Sequence, residues 1–210
     1  MKPTDWKLCL IADLEATGKR NLLSAVQEAA SSGVTLVQLR TKALCTREFL
    51  DLALQASEIL KTQGIPLIIN DRVDIALSCD ATGVHLGKKD LPLPFARKLL
   101  GPQKIIGATA HSLREAQEAE ELGADYLGVG PVFLSPSKKD LKTALGLQGL
   151  IAIREKISIP ILAIGGINPE NAHDVMATGV NGVAVISAIL GAKDIEKATK
   201  KLLYSIEGKK

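Results

Sequence analysis

Residues Thr35–Lys42, TLVQLRTK, join a short aliphatic run directly to a cluster of polar side chains. The alternation of side chains along a strand puts Gln38, Arg40 and Lys42 on one side of the chain. Aliphatic strands that end in polar groups are typical of parallel sheets, whose functional residues follow the C-terminal ends of the strands.

Similar aliphatic runs recur along the 210 residues and alternate with stretches of helical periodicity. The predicted strands are Lys7–Ala12, Thr35–Leu39, Pro66–Ile69, Gly83–Leu86, Lys104–Ala108, Tyr126–Val129, Pro160–Ile164 and Gly182–Ile186. The helical stretches include Asn21–Ser32, Arg47–Thr62, Leu113–Leu122 and Pro169–Thr178. Eight strands that alternate with helices are the number that closes a parallel barrel, so we predict an α/β protein with a single-domain (β/α)₈ TIM barrel over residues 1–210. An open doubly wound sheet uses the same alternation, but no GxGxxG motif opens a helix after the first strand.

Glycine and asparagine mark several predicted helix ends. Gly33, Gly64, Gly123 and Gly179 stand shortly before the next strand, where a left-handed C-terminal residue is expected. Asn168 followed by Pro169 predicts the N-cap and first turn of the helix after the seventh strand.

The composition excludes several classes of protein. Hydrophobic residues make up 46% of the chain but aromatics only 3%, which predicts a core of Ala, Val, Ile and Leu. A net charge of +3 without a basic stripe argues against a nucleic-acid partner. The absence of a long apolar run and of a charged leader argues against a membrane span and a signal peptide. The scattered cysteines Cys9, Cys45 and Cys79 predict reduced thiols in a cytoplasmic protein, with Cys9 buried in its apolar run.

The strand ends carry the candidate chemistry. Arg40 and Lys42 with the amide of Gln38 suit a polyanionic ligand, although a helix-capping surface cluster gives the same local pattern. Asp71 and Asp90 follow neighbouring strands and together suit Mg²⁺, which takes one or two carboxylates and completes its shell with water and phosphate. Each aspartate alone is more often a helix N-cap, so the metal interpretation depends on their pairing and on the cations nearby.

Two further regions are candidates for phosphate binding. The segment Gly130–Asp140 contains Ser135, Ser137 and Lys138 and suits a loop that closes over a ligand, or else a plain surface loop. Gly165-Gly166 after the seventh strand and Ile186-Ser187 after the eighth are placed where barrels bind phosphate through backbone N–H groups.

The histidines predict no metal site and no catalytic base. His85 lies within a strand, where a packed and hydrogen-bonded imidazole is expected, and His173 lies on an exterior helix. His111 follows the fifth strand and is within reach of the site.

Taken together, the chain resembles the thiamin phosphate synthase family over nearly its whole length. The matching stretches are Val34–Lys42, Pro66–Arg72, Gly83–Gly87 with Asp90, Ala124–Pro131, Ala163–Ile167 and Val185–Ile189. The resemblance implies a reaction that joins hydroxymethylpyrimidine diphosphate to thiazole phosphate and releases thiamin phosphate and pyrophosphate.

The resemblance also implies roles for individual residues. Arg40, Lys42 and Lys138 are the implied catalytic cations, and Asp71 and Asp90 the implied Mg²⁺ ligands. The implied substrate-binding residues are Gln38, Leu39, Arg40, Thr41, Lys42, Asn70, Thr109, Ser135, Pro136, Ser137, Lys138, Gly166, Ile186 and Ser187.

The chain departs from the family pattern at a few positions. Lys88 replaces the usual Gln and adds charge near Asp90, and Thr109 stands where Ser is usual. Ser135 and Ser137 match a pair that is usually Thr-x-Thr.

Three other functions compete with the synthase. A thiazole tautomerase would bind the thiazole phosphate but would need no diphosphate site, and a sugar-phosphate barrel enzyme would need no pair of metal-binding aspartates. A non-catalytic protein that binds thiamin precursors would be expected to lose some of these ligands. The sequence makes no prediction of oligomeric state.

Overall fold

The computed structural model describes residues 4–134 and 144–209, and its strands close into one parallel barrel in chain order. The strands are β1 Leu8–Asp13, β2 Leu36–Arg40, β3 Leu67–Asn70, β4 Gly83–Leu86, β5 Ile105–Ala110, β6 Tyr126–Val129, β7 Ile161–Ile164 and β8 Gly182–Val185. Each strand pairs with its neighbours in the chain, and β8 pairs with β1 to complete the ring. The predicted (β/α)₈ barrel is confirmed.

Helices follow the strands and cover the outside of the barrel. In the described residues they are α1 Leu22–Ser31, α2 Thr46–Gln63, α3 Val73–Ser78, α4 Leu93–Leu100, α5 Leu113–Glu121, α6 Gly146–Arg154, α7 Ala172–Ala177, α8 Ser187–Leu190 and α9 Ile195–Ile206. None of these helices is both long and apolar enough to cross a membrane.

The alternation of side chains along the strands produces two apolar cores. The smaller core fills the barrel and consists of Cys9, Ile11, Leu36, Ile68, Tyr126, Leu162 and Ala184. The larger core lies between the barrel and the helices, and it contains Val37 and Leu39 of β2 and Ile69 of β3. Gln38 and Arg40 therefore face the inside of the barrel, whereas the side chain of Leu39 faces the helices.

Most predicted boundaries differ from the observed ones by one to three residues, and two of these differences have a clear structural cause. The first strand runs to Asp13 rather than Ala12, because Asp13 pairs in register with Arg40 of β2. The helix after β7 begins at Ala172 rather than Pro169. Asn171 Oδ1 accepts the N–H of Asn168 at 2.9 Å, and Asn168 Oδ1 accepts the N–H of Glu170 at 2.9 Å. These bonds close a separate turn, so Asn168 caps that turn instead of the helix.

The left-handed glycines and the burial of Cys9 are confirmed. Gly33, Gly64, Gly123 and Gly179 all have positive φ, between 68° and 112°. All three cysteines are free thiols; Cys9 and Cys79 are buried and Cys45 is exposed. Burial raises the pKa of the Cys9 thiol to about 12.

Candidate active site

The C-terminal ends of β1 to β5 bring the predicted polar residues into one arc of the barrel mouth. The order of the strands places Asp13, Arg40, Asn70 and Thr109 at successive points of this arc. Asn70 is 9% exposed and Gln38 is 5% exposed, so both amides lie inside the barrel rather than on its rim. Arg40 and Lys42 do not cap a helix, because their side chains pair with acids of neighbouring strands and strand ends.

Arg40 is held by one carboxylate at the end of β1 and a second in the β1–α1 loop. Its Nη1 donates a hydrogen bond to Oδ2 of Asp13, the residue opposite it in the β1–β2 ladder. Glu15 Oε2 lies 3.7 Å from the same nitrogen. The guanidinium is therefore fixed in direction but remains one-third exposed to the mouth, with 32% of the side chain accessible.

Lys42 connects the β2–α2 loop to the end of β3. Its Nζ donates a hydrogen bond to Asp71 Oδ2. The backbone N–H of Asp71 donates to the carbonyl of His85 at 2.8 Å, so the β3–β4 ladder fixes the residue. Asp71 has a φ of 64°, a left-handed conformation that is rare outside glycine and tends to occur at functional sites.

Asp71 and Asp90 form a pair of adjacent carboxyl groups that hydrogen-bond to each other. Burial raises the pKa of Asp71, but the hydrogen bonds from Lys42 and Asp90 and the charges of Lys42 and Arg40 outweigh it, so this pKa lies below its ordinary value. Burial and the bond to Asp71 hold the pKa of Asp90 above its ordinary value. When two carboxyl groups lie side by side and the nearby cations do not neutralise both, the pKa of one group is lowered and that of the other is raised.

The donor set fits a hard divalent cation. Within residues 4–134 and 144–209, no cluster of three or more His, Cys, Asp or Glu side chains is arranged to hold a metal. Two carboxylates are nevertheless the set with which Mg²⁺ is often bound when substrate phosphate and water supply the remaining oxygens. Asp90 is oriented by the N–H of Gly87, which donates to its Oδ2 at 2.7 Å.

Lys88 adds less positive charge beside Asp71 and Asp90 than its position in the sequence indicates. Its Nζ lies 2.7 Å from Oε1 of Glu115 on α5. The added cation is therefore partly neutralised by an acid of the neighbouring helix.

A buried chain of hydrogen bonds beneath the mouth links β6, β4 and β5. The hydroxyl of Tyr126 bonds to His85 Nδ1 at 2.9 Å, and His85 Nε2 bonds to Thr109 Oγ1 at 2.9 Å, while Gln38 lies close to the Tyr126 hydroxyl. Burial lowers the pKa of His85 to about 4, so the imidazole is neutral at physiological pH. The expectation of a packed, hydrogen-bonded His85 is confirmed, and its ring connects Tyr126 to Thr109, a predicted substrate-binding residue.

Of the other two histidines, one lies on an exterior helix and one at the end of a strand. His173 is exposed on α7, as predicted. The ring Nδ1 of His111 lies 2.5 Å from the carbonyl oxygen of Gly130, and the backbone N–H of His111 donates to Glu115 Oε2 at 2.8 Å. His111 thus ties the end of β5 to the start of the β6–α6 connection.

A cavity of about 320 Å³ opens beside the carboxylate pair. It lies between the β4–α4 loop and α5, and its lining includes Asp90, Thr109, Leu91, Glu118 and Leu122. Its volume is within the range of small-molecule sites.

The opposite side of the mouth is formed by the ends of β7 and β8. Gly165 and Gly166 have φ of 102° and 66°, and a Cβ on Gly166 would lie 2.7 Å from Phe133 Cβ. The glycines are thus needed for packing against the β6–α6 connection, a reason that the sequence did not reveal. Ile186 precedes α8 and Ser187 begins it, beside the end of β7, as expected for the predicted phosphate cradle.

Four predicted residues, Ser135, Pro136, Ser137 and Lys138, lie outside the described residues. Their assignments therefore stay predictions.

Sequence reasoning missed Asp13, Glu15 and Tyr126. Asp13 obeys the same rule that selected the other candidates, because it is the polar residue that ends an aliphatic strand. The predicted first strand stopped one residue short of it. Glu15 and Tyr126 gave no comparable signal, since their importance depends on contacts with other strands.

The closed barrel and the charged groups at its mouth define this protein as a (β/α)₈-barrel enzyme. A family model described as thiamine monophosphate synthase matches residues 8–189. The chain belongs to this family.

Individual relatives match over nearly their full length. The thiamine-phosphate synthase of Clostridium novyi (strain NT) is 50% identical over 198 residues, which cover 94% of this chain and 97% of the relative. That of Syntrophomonas wolfei is 50% identical over 202 residues, or 96% of this chain and 97% of the relative. The solved thiamine phosphate pyrophosphorylase from Pyrococcus furiosus superposes with a TM-score of 0.89 at 41% identity, covering 98% of this chain and 97% of that one. The protein is accordingly an enzyme of the transferase class that acts in thiamine biosynthesis.

Proposed function

We propose that the enzyme joins hydroxymethylpyrimidine diphosphate to thiazole phosphate, forming thiamin phosphate and releasing pyrophosphate, with Mg²⁺ bound by Asp71 and Asp90. The observation that carries this proposal is the adjacent pair of carboxyl groups with Lys42 donating to one of them. A thiazole tautomerase, which only transfers a proton on the thiazole, would have no use for this arrangement.

The charges at the mouth support the requirement for a divalent cation. Among the described side chains, the acids Asp13, Glu15, Asp71 and Asp90 face only two cations, Arg40 and Lys42. A diphosphate would add further negative charge to this surface. A divalent cation between the carboxylate pair and the diphosphate would remove that repulsion.

The reaction breaks the bond between the pyrimidine methylene carbon and the diphosphate oxygen, and it forms a bond from the same carbon to the thiazole nitrogen. The electron-rich aminopyrimidine stabilises the positive charge that develops on the carbon. When bound, Mg²⁺ would stabilise the negative charge of the departing pyrophosphate as a Lewis acid.

The residues of the chain hold the reactants and exclude competing chemistry. Arg40 and Lys42, fixed by their acidic partners, present positive charge where the diphosphate departs. Thr109 is oriented by the buried chain through His85 and Tyr126, and Gln38 lies beside the same chain; we assign both to the pyrimidine together with Asn70. Leu39 and Thr41 would contribute only through the loop that they build, because Leu39 faces the helices and Thr41 donates to Glu15.

The thiazole phosphate is assigned to the other side of the mouth. Gly166, Ile186 and Ser187 would bind its phosphate, and Ser135 to Lys138 would close over both substrates. The thiazole nitrogen has a free lone pair, so no general base is needed. This agrees with the state of His85, which is neutral and hydrogen-bonded through both ring nitrogens.

The test is to incubate the purified enzyme with both substrates and Mg²⁺ and to measure pyrophosphate and thiamin phosphate, the latter by mass. We expect equal amounts of the two products, none in the presence of a chelator, and a rate at least about 100-fold lower in Asp71→Ala. Asp74→Ala is the matched control, because Asp74 is an exposed acid of α3 that pairs with Arg72. Absence of product from a folded protein that binds thiazole phosphate would refute the synthase and favour the tautomerase or the binding protein.

A further inference from the structure

We infer that Glu15 is a positioning residue that sets the β2–α2 loop, and with it Lys42 and Arg40, in the arrangement that the diphosphate requires. The inference deepens the proposed function and rests on it. It concerns a residue of the β1–α1 loop that is assigned no contact with either substrate.

Glu15 holds three consecutive residues of the neighbouring loop with one oxygen. Its Oε1 accepts the hydroxyl of Thr41 at 2.9 Å and the backbone N–H groups of Lys42 at 3.0 Å and Ala43 at 3.2 Å. The N–H of Leu14 donates to the carbonyl of Arg40 at 3.1 Å, which extends the β1–β2 pairing to the end of the strand. Immediately after Arg40, the Glu15 carboxylate is the hydrogen-bond acceptor for the β2–α2 loop.

The second oxygen of Glu15 has a different role. Oε2 lies 3.7 Å from Arg40 Nη1, at the distance of an ion pair without a close hydrogen bond. One carboxylate therefore anchors the loop backbone through Oε1 and adds negative charge beside Arg40 through Oε2. Glu15→Gln separates the two roles, because glutamine keeps a carbonyl oxygen as acceptor but loses the charge.

The β1–α1 loop that carries Glu15 is itself fixed. Asp13 is 4% exposed, and its Oδ1 accepts the N–H of Ala16 at 3.0 Å. Thr17 Oγ1 donates to the backbone carbonyl of Asp13 at 2.7 Å. Glu15 thus extends from a braced turn, although 40% of its own side chain is accessible to solvent.

The position of the Lys42 backbone determines where its ammonium can reach. Glu15 holds the N–H of Lys42, while the other end of the same residue bonds to Asp71. Without the hydrogen bond from Glu15, the Lys42 backbone would be more mobile. Binding the diphosphate would then have to order both the backbone and the long side chain of Lys42, at a cost in conformational entropy. The expected consequence is weaker binding of the diphosphate, with no effect on the distant thiazole phosphate.

The experiment compares the full-length wild type with Glu15→Ala, Glu15→Gln and the control Glu28→Ala. Glu28 also accepts a backbone N–H through its carboxylate, that of Glu196 at 3.2 Å, but it lies on the outside of the barrel. For Glu15→Ala we expect the Kd of inorganic pyrophosphate with Mg²⁺ and the KM of pyrimidine diphosphate to rise about tenfold, equivalent to ~1.4 kcal/mol. The KM of thiazole phosphate should not change. Glu15→Gln should recover most of the loss, and Glu28→Ala should match the wild type.

Amide hydrogen exchange supplies a readout that needs no turnover. The N–H groups of Lys42 and Ala43 should exchange faster in Glu15→Ala and remain protected in Glu15→Gln. Unchanged exchange, an unchanged pyrophosphate affinity, or an equal rise in both KM values would overturn the inference. Failure of the proposed function is distinguished from these outcomes, because it would appear as absence of thiamin phosphate from the wild type itself.

Discussion

Tyr126 occupies the centre of the buried hydrogen-bond chain. Its ring is fully buried in the barrel and lies against Trp6, with the ring centroids 4.8 Å apart. Its hydroxyl bonds to His85 and lies close to Gln38. The residue therefore combines apolar packing inside the barrel with a polar link between two strands of the candidate site.

Removing the hydroxyl separates these contributions. Tyr126→Phe keeps the ring but leaves His85 Nδ1 without its partner in a buried environment, so we expect the free energy of unfolding to fall by about 1–3 kcal/mol. Tyr204→Phe is the matched control, since Tyr204 is 57% exposed and should change stability by less than ~0.5 kcal/mol. Urea denaturation of both variants measures the difference. An equal effect of the two substitutions would show that the buried chain contributes no net stability.

The residues of the site were predictable to different degrees. The alternation along β2 placed Gln38 and Arg40 on the inner side, because the side chains of a strand alternate regardless of its partners. The acid beside Arg40 depends on the register between β1 and β2, which opposes Arg40 with Asp13. Register is a property of two strands, so a single run of residues does not reveal it.

At the scale of the element, the ends of the helices reflect local sequence more directly. Gly64 ends α2 with a φ of 68°, and its N–H donates to the carbonyls of Leu60 and Lys61. A Cβ at this position would meet no atom within 4 Å, so its cost would come from the backbone conformation alone. This explains why such ends are recognisable without knowledge of the tertiary structure.

Gly64→Ala should therefore lower the free energy of unfolding by about 1 kcal/mol. Asparagine tolerates the left-handed region better, so Gly64→Asn should cost clearly less. Thermal and chemical denaturation of the two variants test this order. A larger loss for asparagine than for alanine would show that something other than backbone conformation limits the position.

At the scale of the whole molecule, the barrel depends on the contact between its first and last strands. Leu8 and Val183 are paired, and the N–H of Val183 donates to the carbonyl of Lys7 at 3.1 Å. Gly182 approaches so closely that a Cβ there would lie 1.8 Å from the carbonyl oxygen of Trp6. The obstacle is backbone, which side-chain rotation does not relieve.

Gly182→Ala should force β8 away from β1 and destabilise the protein by roughly 1–3 kcal/mol or more, because overpacking displaces the main chain. Gly149→Ala in α6 is the control, since its Cβ would lie 3.3 Å from Leu145 Cβ, a side-chain contact that needs only a small adjustment. Unfolding followed by far-UV circular dichroism measures both. A stability of Gly182→Ala equal to that of the control would show that the contact between β1 and β8 accommodates a methyl group.

The architecture was predictable because the aliphatic runs, their number and their alternation with helices admit few folds. The bounds of the strands differ from the prediction by one or two residues, since the ladder partners decide where pairing stops. The need for Gly182 was not predictable, because it arises where the two ends of the sheet meet. Closure joins residues that are far apart in the chain.

The three cysteine thiols differ in accessibility, so their labelling reports on two different events. Cys45 is exposed at the start of α2, shortly after Lys42, whereas Cys9 lies inside the barrel and Cys79 is also buried. A maleimide dye therefore marks the native enzyme at one place, beside the loop that Glu15 holds, without any engineered cysteine. Cys9 is shielded inside the barrel and Cys79 beneath the helices, so both react only when the folded structure opens. Labelling of Cys45 thus reports on the barrel mouth, and labelling of the other two thiols reports on unfolding.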